Sequence, residues 1–85
     1  MYPIKNVTSE KIARDLLKSL ALQLERPAHG DRNKALYNLL ALAKSKPSLK
    51  EDISKQVGSF TRYLYKNSIL SNIKDPAKEL LELIK

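Results

Sequence analysis

The chain has 85 residues, no cysteine and a formal net charge of +7, which excludes disulfides and thiolate metal sites as supports for the fold. Apolar residues make up 42% of the chain and only two residues are glycine, a composition typical of packed helices rather than sheets or disorder. We therefore predict a single all-α domain over residues 1–85, folded as an antiparallel four-helix bundle.

The sequence contains no sign of an export signal or a membrane span. Residues 1–7, MYPIKNV, lack the apolar core of a signal peptide, and the longest apolar run is residues 39–43. That run is far shorter than the roughly 20 residues that cross a bilayer. We expect a cytoplasmic protein, partly associated with the membrane.

The first two predicted helices cover about residues 9–25 and 31–45. In the first, apolar residues at helical spacing share one face and charged residues occupy the other. Residues 26–30, RPAHG, are expected to end it, because proline cannot continue the hydrogen-bond ladder of a helix. Asp31 is the predicted N-cap of the second helix, whose apolar face is broad enough to contact two neighbours.

The third predicted helix, residues 49–66, is the longest segment of the chain in which apolar residues repeat with a single helical period. Ser48 and Glu51 have the spacing of a capping box at its start. One apolar stripe is formed by Leu49, Ile53, Val57, Phe60 and Leu64. The opposite side carries Lys55, Gly58, Arg62 and Lys66, flanked by Tyr63 and Tyr65.

A connection is predicted over residues 67–75, followed by a fourth helix over 76–85. Asp75 and Pro76 suit the N-cap and the first position of that helix. Ile69, Leu70 and Ile73 make the connection unusually aliphatic. They either cover the end of the bundle or form a hydrophobic patch that faces a partner.

No residue pattern in the chain indicates catalysis. His29 is the only histidine, and no nucleophile, orienting carboxylate or second metal ligand stands at a useful spacing from it. Gly30 and Gly58 are isolated, so no glycine-rich phosphate loop is present. We predict no enzyme activity, no cofactor and no metal site.

The basic side of the third helix has three interpretations. Its cations can simply solvate the helix, they can anchor a protein partner together with the tyrosines, or they can neutralise the phosphates of a nucleic acid. For the last, residues 53–64 loosely resemble the recognition half of a helix-turn-helix, with Gly58 at the turn. The apolar stripe passes Gly58 without a change of phase, which favours an unbroken helix.

The third helix ends in an aromatic run, and a polar and aliphatic connection then leads to the leucine-rich segment 79–84. The run contains Val57, Phe60, Tyr63, Leu64 and Tyr65. In this pattern and in length the chain resembles the immunity proteins of pediocin-like (class IIa) bacteriocins, particularly the enterocin A immunity group. The resemblance covers nearly the whole chain.

The resemblance implies a cytoplasmic four-helix bundle that protects a cell from a pore-forming peptide. It would do so by binding the membrane-embedded mannose phosphotransferase permease, with its bound bacteriocin, from the inside. In that family the C-terminal half carries specificity. The alternative function is that of a small basic helical DNA-binding or regulatory protein.

The expected partner-binding residues come from the end of the third helix and the segment after it. They are Lys55, Arg62, Tyr63, Tyr65, Lys66, Ile69, Leu70, Ile73 and Lys74. We also expect peripheral contact of the basic face with an anionic membrane. Nucleic acid is the less favoured partner.

Overall fold

The computed structural model describes residues 10–84, which form four α-helices: α1 (Glu10–Leu24), α2 (His29–Ser45), α3 (Lys50–Asn67) and α4 (Ser71–Leu83). One 3₁₀ turn, Pro47–Leu49, joins α2 to α3, and residues 10–84 contain no strand. The predicted all-α four-helix bundle is confirmed. The predicted first residue of the first helix, Ser9, and the predicted last residue of the fourth, Lys85, lie outside the described residues.

The last helix, α4, lies between α2 and α3. It packs extensively on both, and α1 packs on α2, whereas α3 makes few contacts with α1 or α2. Asn33 of α2 contacts Asn72 near the start of α4, and Lys44 contacts Glu79 farther along, so α2 and α4 run in the same direction. The two helical hairpins, α1 with α2 and α3 with α4, are antiparallel. Because α4 fills the space between α2 and α3, the two sides of α4 that face these helices are buried.

The core is aliphatic and is built mainly from leucine. Burial of each such side chain contributes about 1.5–3 kcal/mol before the entropy of ordering is subtracted, so a small domain depends on nearly all of them. Thr61 is the polar side chain buried among them, and its hydroxyl has no hydrogen-bond partner. Fully buried large side chains include Leu17, Leu20, Leu24, Leu36, Leu39, Leu42, Leu49, Ile53, Ile73 and Leu80.

The predicted connection over residues 67–75 is wrong, because α4 begins at Ser71 and only residues 68–70 connect it to α3. Pro76 therefore lies inside α4 rather than at its first position, and Asp75 is not a cap. Ile73, Ala77 and Leu80 are buried on one helical face, and this burial stabilises a helix that begins before Asp75. The free energy gained by burying that face exceeds the cost of the hydrogen bond that proline cannot donate.

The carbonyl that Pro76 leaves without its usual donor receives one from another helix. In a regular helix the N–H of residue 76 would donate to the carbonyl of Asn72, but proline has no N–H. The side-chain amide of Asn33 in α2 donates to this carbonyl, with an Nδ2 to O distance of 2.6 Å. This bond ties the first turn of α4 to the first turns of α2.

Two predicted helix caps are also wrong. α2 begins at His29 with Ala28 as its N-cap, and Asp31 lies within its first turn, where its charge suits the positive end of the helix. Ser48 does not cap α3, because it lies in the 3₁₀ turn and its Oγ donates to Glu10 Oε1 at 3.4 Å. Glu51 instead contacts Lys55, at 3.4 Å between Oε1 and Nζ.

Helix α3 runs without interruption through Gly58, as the phase of its apolar stripe predicts. The prediction that Gly58 lies on the outer side is wrong, since it is buried against the end of α4. A methyl group added at Gly58 would lie 3.4 Å from Ser54 Oγ and 4.0 Å from Ile84 Cδ1. No helix-turn-helix turn exists at this position.

Candidate partner-binding surface

The exposed stripe of α3 carries three basic residues, which differ in their partners. Lys55 forms an ion pair with Glu51 one turn earlier, so part of its charge is neutralised locally. Arg62 and Lys66 are exposed and have no acidic group within ion-pair distance among residues 10–84. The C-terminal half of α3 therefore presents uncompensated positive charge.

A groove between α3 and α4, here called the α3–α4 groove, lies beside these cations. It encloses about 630 Å³. Gly58, Leu81 and Ile84 give it an apolar floor, and three cations and one acid stand around it. The lining residues are Ser54, Gly58, Arg62, Tyr65, Lys66, Lys78, Leu81, Glu82 and Ile84.

Tyr65 and Lys74 form the part of this surface nearest the connection. Both side chains are half-buried, and the Lys74 ammonium lies 5.8 Å from the centre of the Tyr65 ring. At this distance the ring attracts the cation by about 0.5–1 kcal/mol at an exposed site. The contact holds Lys74 against α3, so its charge adds to that of Arg62 and Lys66.

Tyr63 lies on the other side of α3, away from Tyr65. Its ring stacks on Phe60, with 5.7 Å between centroids and 19° between planes, and 55% of its surface remains exposed. The guanidinium of Arg32 from α2 lies 5.3 Å from the Phe60 ring centre, and its Nε is buried without a hydrogen-bond partner. The three side chains form a layered contact between α2 and α3.

A second groove, here called the α2–α3 groove, opens beside this layered contact at the same end of the bundle. It encloses about 390 Å³ and reaches from the first turn of α2 to the connection after α3. Its polar groups come from α2, α3 and the connection, and its apolar groups come from α3, the connection and the start of α4. The lining residues are His29, Arg32, Tyr63, Leu64, Asn67, Ser68, Ile69, Leu70 and Ile73.

The three aliphatic residues of the predicted connection do not share one environment. Ile69 is 95% exposed and Leu70 is half-buried against the core. Ile73 is only 1% exposed, so its assignment to the partner-binding surface is wrong: it is a core residue of α4. The early start of α4 explains this, because it turns Ile73 inward on the same face as Ala77.

Six of the nine predicted site residues are exposed or half-buried and line one of the two grooves, buried Ile73 lines the α2–α3 groove, and Lys55 and Lys74 line neither. Arg62, Tyr65 and Lys66 line the α3–α4 groove, while Tyr63, Ile69 and Leu70 line the α2–α3 groove. Two further cations, Arg32 and Lys78, line these grooves and were not predicted. Nothing local in the sequence distinguishes them from other exposed bases, because their positions depend on how α2 and α4 pack on α3.

The described part of the chain offers neither a metal centre nor a membrane span. Residues 10–84 contain no cluster of three or more histidine or acidic residues that could hold a metal ion. None of the four described helices combines the length and the apolar character that crossing a bilayer requires.

Comparison with known proteins found no match to this chain among protein-family models, curated proteins or solved structures.

Proposed function

We propose that this chain is a bacteriocin immunity protein of the kind that its sequence resembles. It would protect a cell from a pore-forming class IIa bacteriocin by binding the receptor permease complex from the cytoplasmic side. The end of α3, the connection and α4 would make the contact. The protein acts in this proposal by binding alone and needs no catalytic group.

The observation that carries the proposal is the uncompensated positive charge beside the α3–α4 groove. Arg62, Lys66 and Lys78 stand around the apolar floor together with one acid, Glu82, and none of the three cations forms an ion pair among residues 10–84. Arginine and tyrosine are among the side chains that most often anchor interfaces, because each combines a large contact area with hydrogen-bonding groups. Unpaired cations around a concave apolar floor suit a partner with acidic groups on its surface.

The alternative of a DNA-binding protein has lost the feature that favoured it. A reading helix needs a turn before it, and α3 continues through Gly58 without one. Basic charge remains as its support, and a titration with duplex DNA at two salt concentrations tests it. Tight binding that weakens steeply with salt would favour the DNA-binding function over the immunity function.

The direct test is expression of the full chain in a bacteriocin-sensitive strain, followed by exposure to a panel of pediocin-like peptides. Survival against at least one peptide is expected. Killing that is unchanged for every peptide would remove the proposal.

Two variants with the same charge change locate the surface. Arg62→Glu should abolish protection, because it reverses the charge beside the α3–α4 groove, whereas Lys18→Glu on α1 should retain it. Both side chains are exposed, so helical circular dichroism and melting should stay close to those of the parent chain. Equal loss of protection in the two variants would contradict the assignment of this groove.

A further inference from the structure

Ile69 is the most exposed large hydrophobic residue in the described part of the chain, at 95%. It lies in the middle of the three-residue connection, and the backbone on both sides of it is held. The Leu70 N–H donates to Ser68 Oγ at 3.2 Å, and the Leu70 carbonyl accepts from the N–H groups of Ile73 and Lys74 at 3.1 and 2.9 Å. The connection therefore has a defined shape that projects an aliphatic side chain into solvent.

The connection shares one end of the bundle with the loop between α1 and α2. Glu25 and Tyr63 line one surface recess, and His29 and Ile69 line another, which brings both connections together. We call this part of the molecule the loop end, defined by residues 25–28 and 68–70 and the helical turns next to them.

Positive charge surrounds the projecting side chain. Lys66 precedes Ile69 by three residues, Arg62 lies one turn farther back, and Lys74 lies on the first turns of α4. None of these three forms an ion pair among residues 10–84. Arg26 and Arg32 also lie at this end, so its bases outnumber its acids, which are Glu25, Asp31 and Asp75.

Tyr63 adds an amphipathic ring at the same end. Its face is stacked on Phe60 and half of its surface is open to solvent. Tyrosine is enriched where proteins meet the headgroups of a bilayer, because its ring is apolar and its hydroxyl is polar. An exposed aliphatic tip, an aromatic ring and unpaired cations therefore occur together at the loop end.

We propose that the loop end docks onto the surface of an anionic lipid bilayer. Ile69 enters the headgroup region, and Arg62, Lys66 and Lys74 face lipid phosphates. Docking of the loop end adds a lipid contact to the proposed function. It rests on that function only to explain why the protein is near a membrane. A single projecting isoleucine provides far less apolar contact than the roughly 1,000 Å² of a stable protein interface, whereas interfacial lipid binding combines a small apolar insertion with electrostatic attraction.

Docking of this kind is weak and reversible. Even a myristoyl chain by itself gives only marginal membrane binding, and one isoleucine buries much less apolar surface. The cations supply the rest through the negative surface potential, which extends only about 8–10 Å at physiological salt. Binding must therefore depend on anionic lipid, on salt and on which end of the bundle carries the charge.

The test measures co-sedimentation of the full chain with vesicles of equimolar phosphatidylglycerol and phosphatidylcholine, and with vesicles of phosphatidylcholine alone. Binding is expected only to the anionic vesicles, and it should fall as salt is raised. No binding to anionic vesicles at low salt, or equal binding to both compositions, overturns the inference.

Matched variants separate docking at the loop end from attraction by net charge alone. Ile69→Ser should weaken vesicle binding by about tenfold, and Ile12→Ser, at the exposed isoleucine in the first turn of α1 at the opposite end, by less than about twofold. Lys66→Glu should weaken it by at least about fivefold, whereas Lys11→Glu, in the first turn of α1 at the opposite end, should have a smaller effect. Equal losses of vesicle binding for the two variants of either pair would show that net charge attracts the molecule in any orientation. That result overturns the inference.

The outcome is distinguishable from that of the proposed function. Vesicle binding with the expected variant pattern, in a protein that gives no protection in a sensitive strain, removes the immunity function and leaves the lipid docking. Protection by a chain that binds no anionic vesicle removes the docking and leaves the immunity function.

Discussion

The two ends of the bundle use their charges in different ways. At the end where α1 begins, Arg14 lies 3.9 Å from Glu10 and 3.7 Å from Asp52, and Glu10 also accepts a hydrogen bond from Ser48. At the loop end, Arg62 and Lys66 have no such partner among residues 10–84. Charge at the first end links α1 to the start of α3, while charge at the loop end is directed to solvent.

This difference shows why a net charge of +7 says little about where a partner binds. Opposite charges that lie close together cancel within a Debye length, so the field outside the molecule comes mainly from cations without partners. The exposed aliphatic side chain, Ile69, is at the end where the cations are unpaired. The two features coincide in space although they arise from different elements.

The largest expected effect comes from comparing the two isoleucines of the predicted connection. Ile73→Ala should lower the free energy of unfolding by about 2–4 kcal/mol, because it leaves a cavity between α4 and its neighbours. Ile69→Ala should change it by less than about 0.5 kcal/mol, because its side chain is almost fully exposed. Chemical denaturation of the two variants measures this, and similar values for both would place Ile69 in the core as well.

An intermediate effect is expected for the bond that holds the start of α4 at the loop end. Asn33→Ala should lower the free energy of unfolding by about 1 kcal/mol, because the Asn72 carbonyl loses the donor that replaces the missing proline N–H. The measurement is again chemical denaturation.

A double-mutant cycle shows whether Asn33 acts through this carbonyl. Pro76→Ala restores an N–H that can donate to Asn72, so Asn33→Ala should cost less in that background than in the parent chain. An equal cost in both backgrounds would mean that Asn33 stabilises the bundle in some other way.

The smallest effect is expected at the end where the charges are paired. Arg14→Gln removes both ion pairs of Arg14, but the side chain is 59% exposed, and exposed pairs contribute at most about 1 kcal/mol. We expect a loss of a few tenths of a kcal/mol that disappears at high salt. Lys18→Gln, at an exposed base of the same helix, is the control; a larger loss for Arg14→Gln that persists in high salt would show that these contacts are not simple surface pairs.

Part of the candidate site followed from the sequence. The exposed positions of Arg62 and Lys66 follow from their place opposite the apolar stripe of α3, whereas the sequence left open whether Ile69 covers the end of the bundle or faces a partner. Ile73 was assigned wrongly because Asp75 and Pro76 form a strong local signal for a helix start. Burial favours an earlier start, because a helix that begins at Ser71 places Ile73, Ala77 and Leu80 in the core. The Asn72 carbonyl, which receives no N–H from Pro76, accepts a hydrogen bond from Asn33 instead.

The amino-acid sequence by itself determined the four amphipathic segments and the unbroken course of α3, because hydrophobic periodicity is a local property that any helix must satisfy. The tertiary structure decided the packing of α4 between α2 and α3, the separation of Tyr63 from Tyr65, and the position of Arg32 beside Phe60. These features depend on which helices become neighbours. An apolar helical face indicates only that it must be buried. Many helices of similar shape could bury it, and the sequence does not show which one does.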